Sequence, residues 1–370
     1  MNLCVKRVVL CALLALAPLG CAKPPAATHD EAAAAVSALP FSPGREAQVA
    51  RLLAEAPLDE AALRAAVEEV RPALGVLDAA TRAEGWSLNA RAPRDDWEAL
   101  AWLAYGDARL ALLDGETPRA FERALMVHDL GVLMGDAAGA GVADLITGFG
   151  LREAGLVQLQ RLAALAPPDE RTVRMLRQRI GEEGAGLGAW APALRAEAAA
   201  AEARVAALRD DPVAGLGLVG ESLPPAARAA PDLFDETATR EAVVGLMLRA
   251  AALTPDGCAQ SLAPAAPPAP GPNLAGRTYA FQTALALSQL TDRLCVTEAA
   301  RRATVLALHH HEDTSAPVLA DPFTGAPFAR IGDALVSGGR DRAVPTRVGT
   351  GPFDPEAPTY FLDARPLLSF

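Results

Sequence analysis

Three consecutive histidines followed by two acids, His309-His310-His311-Glu312-Asp313, are the densest set of metal-ligating side chains in the sequence. A metal held on one helix face takes ligands at i and i+4, because neighbouring side chains diverge by about 100° around the axis. His309 with Asp313 fits that spacing, and His309 with His311 fits an extended one, so a metal-dependent hydrolase would use His309, His311 and Asp313. The run follows a helical stretch, however, and the simpler expectation is a solvated helix end that holds no resident metal. His128 shares a helical face with Phe121, Leu125 and Val132, which predicts a core histidine with one hydrogen-bonded ring nitrogen. Gly215-Leu216-Gly217-Leu218-Val219-Gly220 satisfies G-x-G-x-x-G literally. An Ala-rich helix precedes it and Pro224-Pro225 follows, whereas a dinucleotide site needs a strand before and a helix after, so the stretch reads as a connection.

Other chemistry is excluded by residue type. The only lysines are Lys6 and Lys23, which removes Schiff-base, Walker-type and S-x-x-K chemistry from the folded region. G-x-S-x-G, C-x-x-C and H-E-x-x-H are absent. Paired acids such as Glu68-Glu69 and Asp95-Asp96 read as caps or wetted helix faces. No catalytic residue and no cofactor is therefore expected. The 370 residues carry 34 Lys+Arg against 45 Asp+Glu, a net charge of -11, which argues against a nucleic-acid partner.

Helices must position whatever chemistry remains. Asp95 and Glu98 form a capping box ahead of Trp97, Leu100, Ala104 and Ala108, and Gly115 closes that helix. Thr117-Pro118 opens the next, which ends near Gly135, and so short a turn makes the two antiparallel. Further helical stretches run over about 142–165, 169–180, 189–209 and 235–253, with no repeat near 34 residues. The fold class expected is mainly α: an irregular antiparallel helical array, then a long helix and a small C-terminal antiparallel β region. The boundaries are 1–20 for a signal peptide, 21–45 for a flexible tether and 46–253 for the helical domain. A Pro/Ala-rich linker covers 254–276, and the long helix with the β region covers 277–370.

Residues 1–20 have the tripartite form of a signal peptide: Lys6-Arg7, the apolar run Val8 to Leu19, then Gly20-Cys21. That run is shorter than the ~20 residues of a membrane-spanning helix. Removing the leader takes away Cys4 and Cys11. If Cys21 is modified, Cys258 and Cys295 remain as an even pair expected to form a disulfide in an oxidising compartment.

Leu19-Gly20-Cys21, with Leu16 and Ala17 upstream, resembles the lipobox of bacterial lipoproteins. The resemblance implies lipidation of Cys21 with palmitoyl-type acyl chains. Ala22 in the next position implies the periplasmic side of the outer membrane. Pro18 stands where the family usually has Leu. Farther on, Leu319-Ala320-Asp321-Pro322-Phe323-Thr324-Gly325-Ala326-Pro327-Phe328 is similar to the D-P-W/F-x-G-x-P segment after the long helix of type II secretion major pseudopilins. It is also similar to the ending of helical envelope proteins of high-GC bacteria. That likeness implies a helix followed by a small antiparallel sheet. The pseudopilin N-terminal helix has no counterpart, and the calcium site, for which Asp341 would be the matching position, is not carried over. Together these readings lead to a membrane-anchored periplasmic lipoprotein acting as a non-catalytic helical scaffold. Its partners would be the membrane, through the lipid, and a protein of the envelope. The alternatives are the metal-dependent hydrolase and an accessory subunit of a secretion or pilus-like assembly.

Overall fold

The computed structural model describes residues 45–54, 58–68, 70–81, 94–137, 139–182, 187–209, 232–254, 258, 268–269, 271–311, 319–331, 334–337 and 346–349. The helices are α1 (Arg45–Ala54), α2 (Glu60–Glu68), α3 (Arg71–Ala80), α4 (Arg94–Leu113) and α5 (Thr117–Asp136). They continue with α6 (Val142–Leu165), α7 (Glu170–Glu182), α8 (Trp190–Leu208), α9 (Glu236–Ala251) and α10 (Leu274–His311). Helix α4 begins at Arg94, so Asp95 lies inside its first turn and does not precede it as an N-cap. Its other end closes as expected. Gly115 has φ +77°, its N–H donates to Leu112 O at 3.1 Å, and Glu116 N donates to Ala111 O at 2.7 Å. That Schellman arrangement satisfies two terminal carbonyls and turns the chain at once into α5.

Helices α5 and α6 approach until backbone touches backbone. A Cβ at Gly131 would lie 2.4 Å from Gly148 O, and one at Gly155 would lie 2.5 Å from His128 N. The pairing of 131 with 148 and of 128 with 155 makes the two helices antiparallel. Helix α4 runs parallel to α6: Gln158 Nε2 donates to Ala101 O at 3.1 Å, and one turn on Arg161 stacks 5.8 Å from the Tyr105 ring centroid.

Two apolar cores result. One gathers α1 to α3 with residues of α4, α5 and α6, then α8, α9 and the first part of α10 through Leu287, Leu290 and Leu294. The other gathers Tyr105, Phe121, Leu156, Leu159, Val173 and Leu176 around the second part of α10. Helix α10 threads both cores. Its start is clasped to α9: Asn273, at φ 52°, donates its N–H to Asp232 O at 2.7 Å, while its Oδ1 accepts from Asp235 N at 2.8 Å. A disulfide joins Cys258 to Cys295 in the middle of α10.

After α10 the chain turns at Asp321. Gly325 N donates to Asp321 O at 2.8 Å, Phe323 N to Asp321 Oδ1 at 3.1 Å, and Phe328 is buried in the second core. Three short backbone segments follow, β1 (Ala329–Ile331), β2 (Ala334–Ser337) and β3 (Thr346–Gly349). They pair antiparallel in that order, Ala329 opposite Val336 and Ala334 opposite Gly349. Among the described residues no helix is long and apolar enough to cross a membrane.

Candidate functional site

Among the described residues, one buried ionisable cluster lies inside the array, where α10 crosses α6. Arg152 and Glu153 of α6 are 1% and 2% exposed, and Glu298 of α10 is 1% exposed. Such groups are almost never fully buried unless paired. Arg293 places Nε 2.8 Å from Glu153 Oε1, and the Thr297 hydroxyl donates to the same oxygen at 2.6 Å. Arg301 holds both oxygens of Glu298, Nε to Oε2 and Nη2 to Oε1, each at 2.8 Å. Arg302 Nε adds a third bond at 2.7 Å. The outer nitrogens of the two arginines then reach backbone. Arg301 Nη1 donates to Ile180 O at the end of α7 at 3.1 Å, and Arg302 Nη1 donates to Ala320 O before the Asp321 turn at 2.9 Å. One carboxylate thus ties α10, α7 and the C-terminal turn together.

The two glutamates respond to burial differently. Desolvation raises the Glu153 carboxyl above its usual range, and Arg293, Thr297 and Arg152 pull it back only in part. Desolvation acts the same way on Glu298, but hydrogen bonds and charge from Arg301 and Arg302 outweigh it and hold that carboxyl low. Burial also pushes Arg152 down to about 10, against the attraction of Glu298 and Glu153.

A second buried set lies on α5. The His128 ring is fully buried, with Nδ1 3.1 Å from Asp129 Oδ1, and Arg179 of α7 pairs with the other oxygen of Asp129. A third surrounds Asp107 of α4, 1% exposed, which accepts from Arg123 Nε at 2.9 Å and has Arg71 and Arg119 at 3.6 Å. These sets share one chemistry. Arginines pair with each buried carboxylate, from the same helix at Glu298 and from neighbouring helices at Glu153, Asp129 and Asp107, which fixes geometry and leaves oxygens already engaged.

Of the residues singled out from sequence, Cys258 and Cys295 are joined, and the sequence separation between them is 37. The backbone of α10 is helical through His311, which sets His309 and His311 roughly 200° apart around the axis and removes the extended spacing. Asp313, Cys21, the tether and Gly215 to Gly220 lie outside the described residues. Among the described residues, no group of three or more His, Cys, Asp and Glu side chains is gathered to hold a metal ion.

Sequence reasoning missed the buried layer. Its signals are Arg152-Glu153 between Gly148 and Gly155, and Glu298-Ala-Ala-Arg301-Arg302, whose i,i+3 and i,i+4 spacing looks like an ordinary solvated helix face. No family model, no curated protein and no solved structure matches the chain.

Proposed function

We propose that the protein is a lipid-anchored, non-catalytic helical scaffold of the bacterial envelope, carried on the periplasmic side of the outer membrane by acyl chains on Cys21. The observation that carries the scaffold reading is the arginine-closed layer at Glu153 and Glu298. Glu153, hydrogen-bonded by Thr297 and ion-paired with Arg293, and Glu298, held by three arginine donors, serve to lock α6, α7 and α10 in place, whereas a general base or metal ligand needs oxygens open to substrate. The anchor reading rests on Lys6-Arg7, the apolar run and Leu19-Gly20-Cys21. Several acyl chains, at ~0.8 kcal/mol per buried CH₂, give essentially permanent attachment.

The C-terminal turn favours one more specific role, an accessory subunit of a secretion or pilus-like assembly. Asp321 and Gly325 shape that turn, and the backbone pairing of β1, β2 and β3 supports a small pseudopilin-like sheet beyond it. Cross-linking in intact cells followed by purification from membranes tests the scaffold. The expected result is a discrete cross-linked envelope protein. A stoichiometric zinc or iron in untagged protein, lost in the triple variant H309A/H310A/H311A, would overturn the non-catalytic reading.

A further inference from the structure

One lateral edge of the array sets cations beside exposed apolar side chains. Helices α4 and α6 run parallel there, and Arg161 of α6 stacks 5.8 Å from the Tyr105 ring centroid of α4. About 6 Å further along both axes α4 carries Arg109 and α6 carries Leu165, and one more turn brings α4 to Leu113. Tyr105, Arg109 and Leu113, four residues apart, share one side of α4, and Arg161 and Leu165 share one side of α6. Leu113 and Leu165 are 49% and 53% exposed, more than any other large apolar side chain among the described residues. Burial raises the Tyr105 hydroxyl, and the charges of Arg161 and Arg109 pull it back, so both guanidiniums lie close to one phenol. Arg109 is half-buried and makes no ion pair among the described residues. The acids that follow α4 are engaged elsewhere. Asp114 accepts from Arg64 Nη1 of α2 at 3.1 Å, and Glu116 accepts from Arg119 Nη1 at 2.7 Å.

Trp102, half-buried on the same side of α4 two turns before Arg109, adds a ring of the type that sits at headgroup depth. This set suits a bilayer interface, with guanidiniums at the phosphate level, the rings beside them and the leucines in the acyl boundary. The net charge of -11 means that an anionic surface repels most of the body and admits it by this edge. We propose that the α4–α6 edge docks on an anionic phospholipid surface, with lipid phosphate on Arg109 and Arg161 and with Leu113 and Leu165 entering the acyl boundary. This contact goes beyond the attachment proposed at Cys21. It sets which side of the helical body lies against the membrane, and it holds whether or not Cys21 is the anchor.

Hydroxyl-radical footprinting of the full-length protein on lipid vesicles, read by mass spectrometry, tests this. Leu248 and Leu285, 48% and 43% exposed, serve as references within the same molecule. On phosphatidylcholine vesicles that contain phosphatidylglycerol, Leu113 and Leu165 should react several-fold more slowly than the references, whereas on phosphatidylcholine alone all four should react alike. R109Q should lose the protection and R109K should keep it. In 1 M salt, where the Debye length is about 3 Å, most of it should disappear. Equal rates for the two pairs on the anionic vesicles would overturn the proposal, as would protection unchanged in R109Q. Equal protection without vesicles would also overturn it and assign the edge to a second copy of the chain. Equal protection by soluble poly-glutamate would overturn it in favour of an acidic protein partner.

Discussion

Glu153 and Glu298 are buried at the same helix crossing and shift in opposite directions, so they give stability opposite pH dependences. Glu298 is held below its unfolded value. Its contribution is fully present above the ordinary carboxylate range and is lost as pH falls through the depressed value. Glu153 is raised by desolvation, so the folded state binds its proton more tightly than the unfolded chain does, and stability falls as pH rises through the interval between the two values. In urea titrations across pH, E298Q should flatten the acid limb and E153Q the limb just above it. At neutral pH E298Q should cost about 3–5 kcal/mol, because Arg301 and Arg302 lose a shared counter-ion in the interior. A loss under ~1 kcal/mol, the range of an exposed pair, would mean that the layer does not hold the helices.

At the scale of elements, the crossing of α5 and α6 depends on the absence of side chains. Gly131→Ala places a methyl 2.4 Å from Gly148 O and should destabilise by at least about 1–3 kcal/mol in chemical denaturation. Gly75→Ala on α3, where a Cβ meets nothing within 4 Å, should instead gain up to about 1 kcal/mol. The order of the helices was legible from sequence because Gly115, Pro118 and Gly135 punctuate long periodic stretches. The 142–165 stretch matches Val142–Leu165 for that reason. Helix α10 starts before Arg277 because Asn273 adopts a left-handed backbone and is bonded to the α9 entry, a tertiary arrangement with no local signal. The buried layer was illegible for a different reason. Glu298 and Arg302 four residues apart are identical in sequence whether water or another helix covers them, and the packing of α6 and α7 on α10 decides.

Across the whole molecule, α10 joins the two apolar cores, and the Cys258–Cys295 disulfide fastens the chain after α9 to its middle. On the chain-entropy model a bridge across this separation stabilises by up to ~4 kcal/mol. C258S/C295S should therefore melt lower while keeping its far-UV helical signal, and an unchanged melting temperature would show that the bridge constrains nothing. A body fastened by buried arginine–carboxylate pairs suits the proposed scaffold, whose proposed attachment to the membrane is one residue, Cys21. The most direct measurement is fractionation of cells expressing wild-type protein or C21A, with high-salt and carbonate washes of the membranes. With Cys21 as the proposed anchor, wild type should resist both washes in the outer-membrane fraction and C21A should be released to the soluble envelope fraction. C21A that stays with the membranes through both washes would contradict it.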